Sequence, residues 1–230
     1  MFRGILHFLC TLLLPYGLLY LIKAAGNSNY VACIANSIYI STNIICYGSS
    51  ALYHVGRWSV QVEILIQKLD HCGVAILSTG TMVPLCMLML PYPLGILFMT
   101  ASISCCLWTC YNIFELKPSV GRQVSVPACI LPFLPWCYYH MNSFEFSCII
   151  FVIISKAIGV AIFVNQKPDP IPHIFGYHEI FHFFVVIAGI FVYVCNLSMT
   201  LRSSGKDPLD FSTLVNLLSL YINSLSFRSD

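Results

Sequence analysis

The sequence predicts an all-α integral membrane protein, built as a bundle of seven transmembrane helices. Of its 230 residues, 58% are hydrophobic and only 9% are charged, whereas charged residues make up about a quarter of an ordinary soluble domain. Apolar runs of about 20 residues, the length that crosses a bilayer as a helix, recur along the chain. The net charge is only +2 and no basic cluster is present, so nothing indicates nucleic-acid binding.

Seven apolar runs are separated by segments rich in polar residues, proline or glycine. The clearest separator is 165–170, where two prolines cannot continue a helix. The less apolar stretch 209–225 predicts an interfacial helix rather than an eighth span. We therefore expect a seven-helix membrane domain over 1–200 and a C-terminal tail over 201–230. The predicted spans are 4–22, 31–53, 70–90, 94–114, 120–139, 144–164 and 177–199.

Lysine and arginine residues in the loops indicate how the chain is oriented. If the N-terminus is cytoplasmic, six of them lie inside and four outside, while Lys156 lies within a span. Cytoplasmic loops carry such an excess of basic residues. We therefore predict a multi-pass membrane protein with a cytoplasmic N-terminus and its C-terminus outside.

Polar residues that are costly inside a membrane gather at the ends of three predicted spans. Ser50 and His54 lie one helical turn apart at the end of span two, and Asp70 opens span three. His178 and His182 lie one turn apart at the start of span seven. Because consecutive spans alternate in direction, these three span ends lie at the same membrane surface. We expect the five side chains to meet there.

This set of side chains is typical of a catalytic zinc site. Three imidazoles with one open coordination position are a common arrangement, and a neighbouring carboxylate and hydroxyl can orient a water molecule. Histidines at span ends can also simply satisfy helix termini at the interface, but the combination of three with Asp70 favours a metal. His7, in span one, is assigned to such interfacial hydrogen bonding.

The segment from His178 to His182 also reads H-E-x-x-H, the pattern of zinc proteases. A protease of that kind commonly takes its third ligand from further along the chain. No histidine or glutamate follows His182, and the next carboxylate, Asp207, lies beyond the far end of the span. The third ligand must come from elsewhere, and His54 is the best placed.

Three motifs span the predicted site: Ser50-Ala51-Leu52-Tyr53-His54, then Leu69-Asp70-His71 with Gly80-Thr81 and Pro84 after it, and the pair His178 and His182. Together they resemble the hemolysin III family, within the superfamily of progestin and adipoQ receptors and alkaline ceramidases. The resemblance covers roughly 4–200. Cys72 and Gly73 depart from it, since alanine or another apolar residue is expected there.

The resemblance implies a seven-helix bundle with zinc near its cytoplasmic side. The metal ligands would be His54, His178 and His182, with a water completing the site beside Asp70 and Ser50. It implies no role for a glutamate between the last two histidines, so the H-E-x-x-H pattern is interpreted as coincidental.

The expected function is zinc-dependent hydrolysis of a lipid amide or ester, with a membrane lipid as substrate or ligand. Asp70 would act as general base and Ser50 would stabilise the oxyanion. One alternative is a cytolytic or pore-like membrane protein, although the sequence shows no amphipathic hairpin and no polar stripe to line a channel. Another is a receptor-like signalling protein in which zinc is structural.

Overall fold

The computed structural model of the protein describes residues 2–115, 131–171, 175–213 and 216. Within these ranges the chain is helical, and six helices are long and apolar enough to cross a membrane. A 3-10 turn, Leu131–Phe133, precedes a short helix of the described residues. The helices are α1 (Phe2–Ala25), α2 (Tyr30–Val55), α3 (Val60–Leu88), α4 (Tyr92–Glu115), α5 (Leu134–His140), α6 (Ser143–Asn165) and α7 (Tyr177–Ser203).

The fifth predicted span, 120–139, falls largely outside the described residues. Its described part holds the 3-10 turn and α5, which has only 7 residues. A helix of that length covers about 10 Å, far less than the hydrocarbon core of a bilayer. An all-helical, multi-pass membrane bundle is therefore confirmed, while the count of seven helices stays a prediction.

The third span begins earlier than predicted. Hydropathy placed its start at Asp70, but α3 already begins at Val60, so Asp70 lies inside the helix. The added turns carry Glu63, Gln67 and Lys68, which lower the hydropathy without disfavouring a helix. Hydropathy locates the membrane-buried part of a helix, and α3 extends past it.

The outer surface of the bundle is apolar. On α1, for example, Leu13 and Leu19 are 66% and 65% exposed. Such large apolar side chains are unfavourable in water, and a helix that exposes many of them is expected to face lipid. The protein is thus a multi-pass membrane protein by the length, composition and surface of its helices.

Helices α2 and α3 approach each other closely through two glycines. A Cβ added to Gly73 would lie 3.0 Å from the Cα of Cys46, and one added to Gly80 would collide with Thr42 Oγ1. Small residues at helix interfaces allow this backbone approach in membrane bundles. Gly73, a departure from the expected motif, therefore has a packing role one turn away from Asp70.

A polar network joins the start of α6 to the end of α7. Glu145 is fully buried, and its carboxylate accepts hydrogen bonds from the Asn142 backbone N–H at 3.0 Å and the Ser198 hydroxyl at 2.9 Å. It also forms an ion pair with Arg202 at 2.8 Å. Asn142 in turn caps α6 by accepting the Glu145 backbone N–H. We call Asn142, Glu145, Ser198 and Arg202 the Glu145 network.

Beyond Ser203 the chain packs back against the bundle: the Leu209 N–H donates to Ser198 Oγ at 3.2 Å, and the Phe211 ring lies 5.2 Å from that of Phe144. Residues 211–213 are helical, but most of the interfacial helix predicted over 209–225 lies outside the described residues. The division into 1–200 and 201–230 stays a prediction.

Candidate metal centre

The ends of α2 and α7 bring three histidines together. His54 lies in the last turn of α2, and His178 and His182 lie in the first two turns of α7. One ligand atom from each ring lies within 4.8 Å of those of the other two. His178 and His182 have parallel rings with centroids 4.9 Å apart, and the His54 ring centroid lies 5.1 Å and 5.3 Å from them. Of the five side chains expected to meet, the three histidines therefore lie together.

The helix termini explain why these rings meet. α2 ends at Val55. The next residue, Gly56, donates its N–H to the Leu52 carbonyl, and its own backbone is extended. α7 begins after Gly176, whose N–H donates to the Glu179 carboxylate at 3.1 Å. Spacing of four residues then places His178 and His182 on one face of α7.

Asp70 and Ser50 lie beside this cluster without belonging to it. Asp70 is not a member of the group of close ligand atoms. Its carboxyl interacts with the Ser50 side chain across the α2–α3 contact. Ser50 is buried, and its Oγ has no hydrogen bond of ordinary geometry among the described residues.

The donor set suits zinc. Nitrogen ligands around a tetrahedral zinc, at about 2.0–2.1 Å from the metal, lie about 3.3 Å from one another. The three histidines could hold a metal ion after small ring movements, since their ligand atoms are already within 4.8 Å. Their burial is graded: His182 is buried, while His54 and His178 are only partly so. Three imidazoles leave one position open to a small molecule arriving from the partly exposed side.

A sequence model of haemolysin-III related proteins matches residues 1–193. The chain belongs to the haemolysin-III related family. The match includes α1 to α6 and most of α7, and so covers every residue of the predicted site.

In this haemolysin-III related protein the glutamate of the H-E-x-x-H pattern has a structural position. Glu179 is buried, and one of its carboxylate oxygens accepts the Gly176 N–H that begins α7. A carboxylate in the first turn of a helix is favoured by the unsatisfied N–H groups there. This hydrogen bond gives Glu179 a capping role at the start of α7.

The sequence did not predict that His7 lies at the site. His7 of α1, interpreted as an interfacial residue, is buried, and its Nε2 shares a hydrogen bond of 3.0 Å with Nδ1 of His182. An ionisable residue within an apolar span is a functional candidate, and that signal was present at His7. The sequence alone gave no indication that α1 begins against α7.

A polar stripe in the interior of α2 was also missed. Its members recur every three or four residues and are all buried. Asn36 donates to Thr200 Oγ1 at 2.8 Å, and Asn43 donates to the Tyr39 carbonyl at 2.8 Å. Tyrosines counted as apolar obscured the pattern in the sequence. The stripe consists of Asn36, Tyr39, Asn43, Tyr47 and Ser50.

Proposed function

We propose that this chain is a zinc-dependent hydrolase that cleaves an amide or ester bond of a membrane lipid. The observation that carries the proposal is the meeting of His54, His178 and His182 at one end of the bundle. A structural zinc site is normally closed by four protein ligands, whereas a catalytic site keeps one position open. Among the described residues three donors group here, which favours the catalytic kind.

In this proposal the three imidazoles hold zinc, which when bound supplies polarisation of a carbonyl group and acidification of water. The Asp70 carboxylate accepts the proton of the attacking water, as a general base. The Ser50 hydroxyl donates a hydrogen bond to the carbonyl oxygen as it gains negative charge. The position of both groups across the α2–α3 contact supports these roles.

The surroundings of the site support a lipid as substrate. The ring centroids of Phe163 and Phe181 lie 5.2 Å and 6.3 Å from that of His178, so apolar surface flanks the metal ligands. The outer faces of the helices are also apolar. A molecule with a polar carbonyl and an acyl chain would place these parts against the histidines and the apolar surface, respectively.

The proposed orientation has the site at the cytoplasmic side and the C-terminus outside. The excess of basic residues in loops predicted to be cytoplasmic supports this orientation. The contact of His7 with His182 places the start of α1 beside the start of α7, so the N-terminus and the site lie at the same end of the bundle. The start of α1 and the end of α7 then lie at opposite ends of the bundle.

Lipid turnover tests the hydrolase directly. Purified protein incubated with a panel of ceramides and lysolipids should release fatty acid, and a chelator or His178→Ala should stop the release. If no lipid in the panel is cleaved by zinc-loaded protein, the enzyme proposal fails.

The polar stripe on α2 favours a second candidate, a membrane-permeabilising protein. The stripe follows the helix from Asn36 to Ser50 inside the bundle. Beside it lies a cavity of about 20 Å³, lined mainly by apolar surface, with Tyr39, Asn43 and Lys156 among its lining residues. Dye leakage from liposomes that is unchanged by His178→Ala would favour this candidate, whereas leakage-free vesicles would exclude it.

A further inference from the structure

His7 contacts a proposed metal ligand, His182, and the hydrolase proposal does not use it. Its side chain is 3% exposed, in the second turn of α1. The centroids of the His7 and His182 rings lie 4.2 Å apart, with an angle of 71° between the ring planes. This edge-on arrangement directs Nε2 of His7 at Nδ1 of His182, 3.0 Å away.

The hydrogen bond determines how His182 can bind a metal. Because Nδ1 of His182 is engaged by His7, a metal would be bound through Nε2. A metal-binding histidine almost always donates its other ring N–H to a nearby acceptor, which fixes the tautomer and the ring orientation. That acceptor is usually a carboxylate or a carbonyl oxygen. Here Nε2 of a second imidazole lies in the acceptor's position.

The stability of α1 does not explain a histidine at this position. The Nδ1 atom of His7 is buried and has no hydrogen-bond partner among the described residues, and the ring of Tyr47 lies beside it at 4.8 Å. A buried polar atom without a partner is unfavourable, so an apolar side chain would stabilise this contact better. The bond to His182 is the interaction that an apolar residue could not make.

The preceding turn of α1 contacts a second proposed ligand. A Cβ added to Gly4 would lie 3.0 Å from Cβ of His54 and 2.5 Å from Cγ2 of Val55. Gly4 and His7 are three residues apart and share a face of α1. This face therefore packs against the end of α2 and the start of α7, the two helices that supply all three histidines.

We propose that His7 is a positioning residue for the metal site: its Nε2 accepts the Nδ1–H of His182 and holds that ring with Nε2 towards the metal. The inference rests on the proposed metal site and adds a requirement for α1. It assigns no bond between His7 and the metal itself.

Zinc affinity in detergent, measured by competition with a chromogenic chelator, tests this role. His7→Phe keeps a ring but has no acceptor, and should weaken zinc binding about 10–100-fold, as loss of such a partner typically does. His7→Gln offers an amide oxygen as acceptor and should keep most of the wild-type affinity. Tyr193→Phe is the matched control, because it removes the 3.0 Å hydrogen bond from Tyr193 to the Gly17 carbonyl, also between α1 and α7. Its zinc affinity should equal that of wild type.

Cobalt substitution separates positioning from a general effect on the fold. The visible d–d bands of bound Co²⁺ report ligand geometry, and His7→Phe should shift them while Tyr193→Phe should not. If His7→Phe does not fold, the spectra of wild type and His7→Gln decide: a shift is expected, because an amide oxygen is a different acceptor for His182, and identical spectra overturn the proposal.

The possible failures are distinguishable. If wild type binds zinc and His7→Phe binds it equally well, the role of His7 is overturned but the metal site is not. Equal losses in His7→Phe and Tyr193→Phe, or in His7→Phe and His7→Gln, also overturn it. A wild type that binds no zinc overturns both the metal site and this inference.

Discussion

The two ends of the bundle use buried polar groups in different ways. In the Glu145 network a carboxylate meets a guanidinium, a hydroxyl and a backbone N–H, so unlike groups satisfy one another. At the other end one ligand atom from each of three imidazoles lies within 4.8 Å of the other two, and no carboxylate of the described residues belongs to this group. Polar groups that satisfy each other hold helices together, whereas a cluster of like donors is suited to bind something else.

The largest effect on zinc binding is expected when one of the three imidazoles is removed. Wild-type protein in detergent should carry about one zinc per chain, and His54→Ala, His178→Ala and His182→Ala should each lose most of it, because catalytic zinc needs three protein ligands. Elemental analysis of purified protein measures this. Full zinc in His54→Ala would contradict the site.

Disrupting the Glu145 network should change the stability of the protein but not its zinc content. Glu145→Ala leaves Arg202 and Ser198 without their buried partner, and should lower the free energy of unfolding by roughly 3 kcal/mol, near the low end for a buried pair because Arg202 is 32% exposed. Detergent-based unfolding of metal-free protein measures the change.

Two results complete this test. Zinc content should stay at the wild-type level in Glu145→Ala. Glu63→Ala removes an exposed carboxylate of α3 and should change stability by less than about 0.5 kcal/mol. A loss of zinc in Glu145→Ala would mean that the two ends are not independent.

A smaller effect is expected at Asp70. Asp70→Asn removes the negative charge beside the histidines but no ligand, so zinc affinity should fall about 10–100-fold. Chelator competition gives the value. Loss as complete as in His54→Ala would make Asp70 a ligand, and unchanged affinity would remove it from the site.

The smallest effect should come from Glu179→Gln. The glutamine side-chain oxygen can still accept the Gly176 N–H, so the start of α7, the zinc and any lipid hydrolysis should be kept. Elemental analysis and the fatty-acid assay measure both. Retained zinc with abolished activity would restore the interpretation of H-E-x-x-H as a catalytic motif.

The meeting of His54, His178 and His182 was predictable from two regularities. Four-residue spacing places Ser50 with His54 and His178 with His182 on shared helix faces. Alternation of span direction then brings the ends of α2 and α7 to one surface. Both regularities depend only on sequence separation.

The sequence did not predict which helices lie side by side in the bundle. Hydropathy determines the depth of His7 in the membrane but not which helix lies beside α1, and the bond to His182 depends on that neighbour. The early start of α3 was missed for a related reason, since Val60 to Leu69 forms helix without being apolar throughout. Much of the fifth predicted span remains untested, because most of 120–139 lies outside the described residues.

The glycine contact between α2 and α3 limits which second substitutions could restore the site after a first one has disturbed it. At Gly73 the backbone of α3 lies against the backbone of α2, since a Cβ there would be 3.0 Å from the Cα of Cys46, and a backbone cannot move aside as a side chain can. Sliding α3 by one turn along α2 would bring Leu69 or Leu77, which share this helix face, against Cys46 in place of the glycine. The register of the two helices is therefore fixed to one setting, and with it the height of Asp70 relative to Ser50. A substitution that disturbs this pair cannot be compensated by a shift of the helix, only by a second substitution at the same level.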